Sequence, residues 1–214
     1  MHRRSFLTLA GTGATLSVAG CTSLLEASIP DELENVEPAS DQLPTPTLGS
    51  GPVTVDVYED FGCPVCHEFQ ADVFPILERE FIESDEIEYR HYDFPVGAAD
   101  ESVAMANAAR AVQDATRVDE DEPTDAFFEY KAAVIDNDDW SDEELAALAA
   151  GVDVEPDAVS SALENETYYP TLVADWERGE DAGVEGTPTV IVDGEEVDDA
   201  LDIDEIEQTV EDAT

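Results

Sequence analysis

Two cysteines separated by two residues are the side chains of this sequence best suited to chemistry. Cys63 and Cys66 enclose Pro64 and Val65, while the third cysteine, Cys21, lies far upstream. A disulfide within the pair would close a very small loop, and closing a small loop removes little entropy from the unfolded chain. Structural cross-linking is therefore a poor explanation for the pair. Redox chemistry and ligand attachment remain.

The residues around the pair predict a strand followed by a helix. Residues 53–58 alternate with β-branched side chains, which is typical of a strand. Pro64 suits the first turn of the helix, and Pro75 is expected to kink it further along. Over residues 67–84 the apolar side chains that recur every four positions are Phe69, Val73, Leu77 and Phe81.

Cys63 is predicted to lie at the N-terminus of this helix. Unpaired N–H groups and the helix dipole favour a thiolate there, and such sites have thiol pKa values of roughly 3.5 to 7, compared with about 8.5 for a free cysteine. Cys66, one turn later, could attack a mixed disulfide formed at Cys63. The acidic neighbours Glu59, Asp60 and Glu68 oppose ionisation of the thiol, and we expect concentrated salt to screen that opposition.

The segment that runs from the strand through residues 63–66 to the helix resembles the active site of DsbA-like thioredoxin-fold proteins. Residues 186–194, GTPTVIVDG, resemble the cis-proline loop of that family and the strand after it, and the closing Asp-Gly is itself a hairpin signal. The resemblance covers about residues 50–212. It implies an α/β thioredoxin fold with a helical subdomain inserted at about residues 98–180.

The same resemblance implies what the site residues do. Cys63 would be the nucleophile and Cys66 the resolving thiol. The residues implied to contact the substrate are Pro64, Val65, Thr187 and Pro188, with Pro188 in cis. The implied activity is thiol–disulfide exchange on exported proteins, with dithiol oxidation expected first and disulfide reduction or isomerisation as alternatives. We expect a monomer that uses no metal or organic cofactor, and the partner that recycles the pair is not identifiable.

One position departs from the family pattern. Thioredoxins and DsbA-like proteins often carry a buried acid six positions before the first cysteine, where it assists proton transfer. Val57 occupies that position in this chain, and the neighbouring Asp56 is predicted to point to the opposite face of the strand. Proton transfer at Cys66 is left to water or to Glu59.

The cysteine pair also fits two other kinds of site. Cys63, Cys66 and His67 match the C-x-x-C-H motif that attaches c-type haem, and the second axial position would be taken by Met105, by His91 or by no residue. A non-catalytic lipoprotein that holds haem or a protein partner is therefore the alternative function. Zinc bound by the two cysteines and two histidines is a weaker alternative because the histidines lack paired spacing. We interpret His67 as an exposed helix residue and His91 as a strand side chain.

The N-terminus is typical of an export signal. Arg3 and Arg4 precede an almost uncharged run, and together they resemble a twin-arginine signal over residues 1–20. The residues before Cys21 resemble a lipobox, which implies lipid on Cys21 and anchoring to the outer face of the cell membrane. An uncleaved anchor helix is the alternative. Residues 21–50 are predicted to be a flexible acidic linker, and residues 51–214 the globular domain.

The charge of the chain is strongly one-sided. It has 54 acidic and 8 basic residues, a formal net charge of −46, and a single lysine, Lys131. Such a surface repels phosphate backbones, which disfavours binding to nucleic acid. In about 1 M salt the Debye length falls to about 3 Å, so self-repulsion becomes tolerable. The composition resembles that of proteins from salt-loving archaea, and we interpret it as adaptation to brine.

Overall fold

The computed structural model describes residues 27–39, 43–117 and 124–214. The predicted signal segment 1–20 and Cys21 lie outside these ranges, so export and lipidation stay predictions. Within the described ranges, no helix combines the length and the apolar character needed to span a bilayer.

A mixed five-stranded sheet forms the centre of the domain, in the order β1-β3-β2-β4-β5. The strands are β1 (Thr47–Leu48), β2 (Val53–Glu59), β3 (Ile87–Asp93), β4 (Thr189–Val192) and β5 (Glu195–Glu196). The central strand β2 runs parallel to β3 and antiparallel to β4. Asp193 and Gly194 join β4 to β5 with positive φ angles of 47° and 89°, as the predicted hairpin turn requires.

The helix after the cysteine pair is interrupted by wider turns. It comprises α1 (Pro64–Glu68), a π-helical turn at 69–73, α2 (Phe74–Leu77) and a second π-helical turn at 78–82. Pro75 lies in the first turn of α2, directly after the first π-helical turn. Proline cannot donate the regular i to i−4 hydrogen bond, which accounts for the wider turn before it. The predicted apolar face is confirmed, since all four of its residues are buried.

The inserted helical subdomain lies between β3 and β4, as predicted. Its α-helices are α3 (Ser102–Thr116), α4 (Asp125–Ile135), α5 (Asp142–Leu148), α6 (Pro156–Asn165) and α7 (Tyr169–Ala182), with a 3-10 turn at Ala149–Val152. The last helix, α8 (Ile203–Ala213), packs Ile206 and Val210 into the core. The α/β thioredoxin fold with a helical insertion is therefore confirmed.

The predicted linker over residues 21–50 needs correction where the structure describes it. Leu33 is fully buried, and Ala39 donates its N–H to the carbonyl of Pro170 at 2.9 Å. Residues Thr47–Leu48 pair with β3 as an edge strand. The composition of this stretch is polar on average, but isolated apolar side chains such as Leu33 suffice to dock it because the folded domain already offers an apolar surface.

Candidate active site

The cysteine pair lies where β2 passes into α1. Cys63 is the N-cap residue of α1, with an extended backbone at φ −80° and ψ 120°. Its side chain is 7% exposed and that of Cys66 is 1% exposed, and both are free thiols. The predicted position of Cys63 at the helix N-terminus is therefore confirmed.

Asp60 shapes the turn that presents Cys63. Its carboxylate accepts hydrogen bonds from the N–H groups of Gly62 at 2.7 Å, Val96 at 2.9 Å and Ala98 at 3.1 Å, and its carbonyl accepts from the N–H of Cys63 at 3.0 Å. These bonds tie the turn to the segment that follows β3. Asp60 is 1% exposed, so salt in the solvent screens it much less than it screens a surface acid.

Gly62 allows that segment to approach the turn closely. A Cβ atom at this position would lie 2.5 Å from Ser102 Oγ, 2.6 Å from Ala99 Cβ and 2.9 Å from Ala99 N. Only glycine fits, because real Cβ atoms do not approach other atoms this closely. The residue directly before Cys63 is therefore dictated by packing.

The surroundings of Cys63 favour its thiolate. Hydrogen bonding to the Cys66 thiol is the main cause, and it lowers the pKa of Cys63 to about 6 although burial acts in the opposite direction. The N–H groups of Cys66 and Val65 lower the pKa of Cys63 further. The helix N-terminus thus contributes as predicted, but the partner thiol contributes more.

The loop before β4 faces Cys63. The Cys63 sulfur lies 3.5 Å from the carbonyl oxygen of Thr187, and the peptide bond between Thr187 and Pro188 is cis. Of the other residues predicted to contact substrate, Pro64 is exposed and Val65 is the one large hydrophobic side chain of the described ranges that is exposed, at 43%. The structure therefore brings the predicted residues to one surface around Cys63.

The surroundings of Cys66 favour its protonated thiol. Burial is the largest cause that raises the pKa of its thiol well above the usual value, followed by the hydrogen bond with Cys63 and the negative charge of Glu59. The acidic neighbours were expected to oppose ionisation of Cys63, but Glu59 acts on Cys66 instead. Glu59 is 1% exposed, so salt screens its charge much less than the charges at the surface.

Glu59 belongs to a buried group of charges that the sequence analysis did not find. We call it the buried charge cluster, and its members are Glu59, His91, Asp93, Arg110, Lys131 and Asp175. Oε2 of Glu59 accepts hydrogen bonds from Lys131 Nζ and from His91 Nδ1, the latter at 3.0 Å. The one available signal was that the only lysine in so acidic a chain falls within an apolar helix pattern.

The remaining bonds of the cluster lead away from the cysteines. His91 Nε2 lies 3.2 Å from Asp93 Oδ1, and Arg110 donates to Asp93 Oδ2 at 2.6 Å and to Asp175 Oδ2 at 2.5 Å. Burial raises the pKa of Asp93, but the charge of Arg110 outweighs it and the pKa is lowered. The prediction that His91 is a satisfied strand side chain is confirmed.

His67 differs from its prediction. It is half-buried rather than exposed, because its Nε2 donates to the carbonyl of Phe61 at 2.6 Å. The two proposed axial haem ligands, His91 and Met105, are fully buried in the domain. Among the residues that the structure describes, no three histidine, cysteine or acidic side chains are grouped so that they could hold a metal ion, so the suggested zinc ligands are not brought together.

Comparisons with known proteins agree with this geometry. A family model described as thioredoxin matches residues 45–212. Disulfide bond formation protein D of Bacillus subtilis is 25% identical over 175 residues, which cover 78% of this chain and 75% of that protein. The probable disulfide bond formation protein D of Bacillus anthracis is 27% identical over 149 residues, which cover 67% of this chain and 66% of that protein.

Solved structures share the fold. Oxidised BdbD from Bacillus subtilis superposes with a TM-score of 0.70 at 24% identity, covering 82% of this chain and 98% of that chain. DsbA from Chlamydia trachomatis superposes with a TM-score of 0.69 at 22% identity, covering 83% of this chain and 96% of that chain. The chain therefore belongs to the thioredoxin family and is a thiol–disulfide oxidoreductase with a DsbA-like thioredoxin fold.

Proposed function

We propose that this oxidoreductase introduces disulfides into exported proteins by exchange through Cys63 and Cys66. The observation that carries the proposal is the contrast between the two thiols, because the pKa of Cys63 is lowered to about 6 whereas that of Cys66 is raised. The names of the Bacillus relatives, disulfide bond formation protein D, support the same direction.

The reaction begins from the form with a Cys63–Cys66 disulfide. A substrate thiolate attacks the Cys63 sulfur, the Cys63–Cys66 bond breaks, and Cys66 leaves and takes up a proton. A second substrate thiolate then attacks the substrate sulfur of the mixed disulfide, and Cys63 leaves as a thiolate. Two electrons have moved from the substrate to the pair. The lowered pKa of Cys63 makes it a good leaving group, since thiols of low pKa leave faster.

The same contrast favours oxidation over reduction. A stabilised thiolate at Cys63 stabilises the reduced protein. Its disulfide form therefore accepts electrons more readily than a disulfide whose reduced form is not stabilised. A redox partner with a disulfide or another two-electron acceptor must then reoxidise the pair. In that step Cys63 attacks the acceptor, and Cys66 resolves the mixed disulfide.

The substrate is proposed to lie over the surface that surrounds Cys63. Val65 offers an exposed apolar side chain beside the sulfur, with Pro64 next to it. Thr187 and Pro188 form the opposite side, and the Thr187 carbonyl points at the reacting sulfur. An extended substrate segment bound there would place its cysteine against Cys63.

Equilibration with glutathione buffers in concentrated potassium chloride tests the direction. We expect a reduction potential nearer to about −120 mV than to about −270 mV, the range known for such pairs. A value near the lower end would reverse the proposed direction. Absence of any exchange with a reduced peptide would refute the activity and favour a non-catalytic binding protein, for which a haem spectrum is the direct check.

The place of action is proposed from the N-terminal motifs. A twin-arginine signal over residues 1–20 and lipid on Cys21 would hold a monomeric domain at the outer face of the membrane, where exported proteins emerge. Replacement of Cys21 by Ser should release the mature protein into the medium. Retention of the Cys21→Ser protein at the membrane would contradict lipid anchoring.

A further inference from the structure

The C-x-x-C-H motif leaves one residue, His67, without a part in exchange between the two sulfurs. His67 lies on α1 directly after Cys66 and is half-buried. Its Nε2 lies 2.6 Å from the carbonyl oxygen of Phe61, two residues before Cys63. A carbonyl oxygen only accepts hydrogen bonds, so Nε2 carries the proton in this contact. Both nitrogens of an imidazolium are donors, so the bond also persists when the ring is protonated.

His67 holds the turn before α1 at two carbonyl groups. Its side chain donates to the carbonyl of Phe61, and its backbone N–H donates to the carbonyl of Cys63 at 3.1 Å. Asp60 accepts from the N–H groups of Gly62 and Cys63. The Phe61 side chain is 2% exposed, so it is fixed in the core while its carbonyl is fixed by His67. The donors of the turn are therefore held by Asp60 and its acceptors by His67.

The orientation of this turn decides how the Cys63 sulfur meets the groups that stabilise its thiolate. Those groups are the thiol of Cys66 and the N–H groups of Cys66 and Val65 at the start of α1. Hydrogen bonds weaken steeply when their distance or angle departs from the preferred geometry. A turn released at the Phe61 carbonyl would therefore weaken several stabilising bonds to the Cys63 sulfur at once.

The ring of His67 is itself contacted from the inserted subdomain. Trp140, in the segment between α4 and α5, meets it edge to face, with ring centroids 6.1 Å apart and planes at 78°. Trp140 is half-buried, and its indole N–H donates to the carbonyl of Val134 in α4 at 3.0 Å. Edge-to-face contacts are a favourable geometry for aromatic rings. A path of contacts therefore runs from the insertion through His67 to the turn that carries Cys63.

We propose that His67 is a positioning residue for thiol–disulfide exchange, which fixes the turn that carries Cys63 through the carbonyl of Phe61 and is itself oriented by Trp140. The helical insertion thereby takes part in setting the reactivity of the Cys63 sulfur. The inference rests on the proposed function for its consequence, because Cys63 is taken to be the reacting thiol. Its measurement, the pKa of Cys63, needs no exchange activity.

Two amide variants that place a donor at different distances from the backbone test the proposal. The side-chain nitrogen of His67→Gln lies as many bonds from Cα as Nε2 of histidine, whereas that of His67→Asn lies one bond closer. Gln should therefore keep the bond to Phe61, and Asn should lose it. The pKa of Cys63 is read from thiolate absorbance of the reduced protein below about pH 8, where Cys66 stays protonated.

We expect the pKa of Cys63 to rise by about half a unit to one unit in His67→Asn, the usual effect of one lost hydrogen bond, and to stay near its original value in His67→Gln. Equal pKa values in the two variants would overturn the proposal, whether both are unchanged or both are raised. Exchange with a disulfide-containing peptide is measured alongside. Its absence in every chain, the original included, would refute the proposed activity and leave the pKa comparison intact.

Replacement of Trp140 by Leu tests the contact from the insertion. Trp140→Leu should raise the pKa of Cys63 when His67 is present and have no further effect in His67→Asn, because residues that act through one shared contact are not additive. No effect of Trp140→Leu in the original chain, or an effect that adds fully to that of His67→Asn, would overturn the role of Trp140.

Discussion

The sulfur of Cys63 lies 3.5 Å from the carbonyl oxygen of Thr187, which joins the start of α1 to the loop before β4 across 124 positions of the chain. Beside this contact Cys63 keeps 7% of its surface exposed, whereas Cys66 is withdrawn to 1%. The two thiols are therefore predicted to differ in reactivity.

Replacement of either cysteine should produce opposite results. Cys66→Ser should form a mixed disulfide with a disulfide-containing peptide and accumulate it, because Cys63 remains reactive and nothing resolves the bond. Cys63→Ser should react far more slowly, because Cys66 is buried and the pKa of its thiol is raised. Mass spectrometry of the trapped adduct measures both. Comparable adduct formation by the two variants would contradict the assignment.

The stability of the reduced protein should depend on pH through Cys63. The folded-state pKa of Cys63 is lowered from 9.0 to about 6, so in this window the unfolded state binds more protons and stability rises with pH. The contribution is fully present above about pH 9 and is lost as pH falls through about 6. The free energy of unfolding of the reduced protein, minus that of the oxidised protein, should follow this course. A flat difference between pH 6 and 9 would refute it.

Breaking the Lys131–Glu59 pair should cost more stability than removing it whole. Lys131→Met leaves a buried carboxylate without its main cation, a change that typically costs about 3 to 5 kcal/mol. Lys131→Met with Glu59→Gln leaves no unpaired charge and should recover much of that loss. Denaturant unfolding at one fixed salt concentration compares the two. A double variant less stable than the single would show that the pair is not coupled as described.

Gly62→Ala should disturb the site by steric conflict. The added Cβ would meet Ser102 and Ala99 at 2.5 to 2.9 Å, and overpacking of this kind costs about 1 to 3 kcal/mol. The expected result is lower stability together with a shifted pKa of Cys63, which follows directly in the chain. Gly186→Ala is the matched control because a Cβ there meets nothing within 4 Å. Equal effects of the two variants would contradict the packing argument.

Stability should increase with salt. A net charge of −46 repels itself in dilute buffer, and screening removes much of that repulsion. Thermal unfolding across a series of potassium chloride or sodium chloride concentrations should show a rising midpoint. A midpoint that stays level or falls would refute adaptation to brine.

The sequence by itself determined the parts of the site that depend on near neighbours. Alternating β-branched residues, the C-x-x-C spacing and a four-residue apolar repeat specify a strand, a turn and a helix, because helix ends and faces depend on contacts within a few positions. The position of Cys63 followed from that. The resemblance of residues 186–194 to the cis-proline loop of the family predicted the loop that faces Cys63.

Only the tertiary structure decided which charges reach the cysteines. Glu59 is one of 54 acidic residues, and nothing in the sequence shows that it pairs with Lys131, which lies 72 positions away. Their pairing depends on which faces of β2 and α4 meet in the core. The docking of residues 27–39 was decided in the same way, since average composition says little about whether one leucine, Leu33, finds an apolar surface. Burial is a property of the assembled domain, and it makes a common charged side chain one of the influences that raise the pKa of the Cys66 thiol.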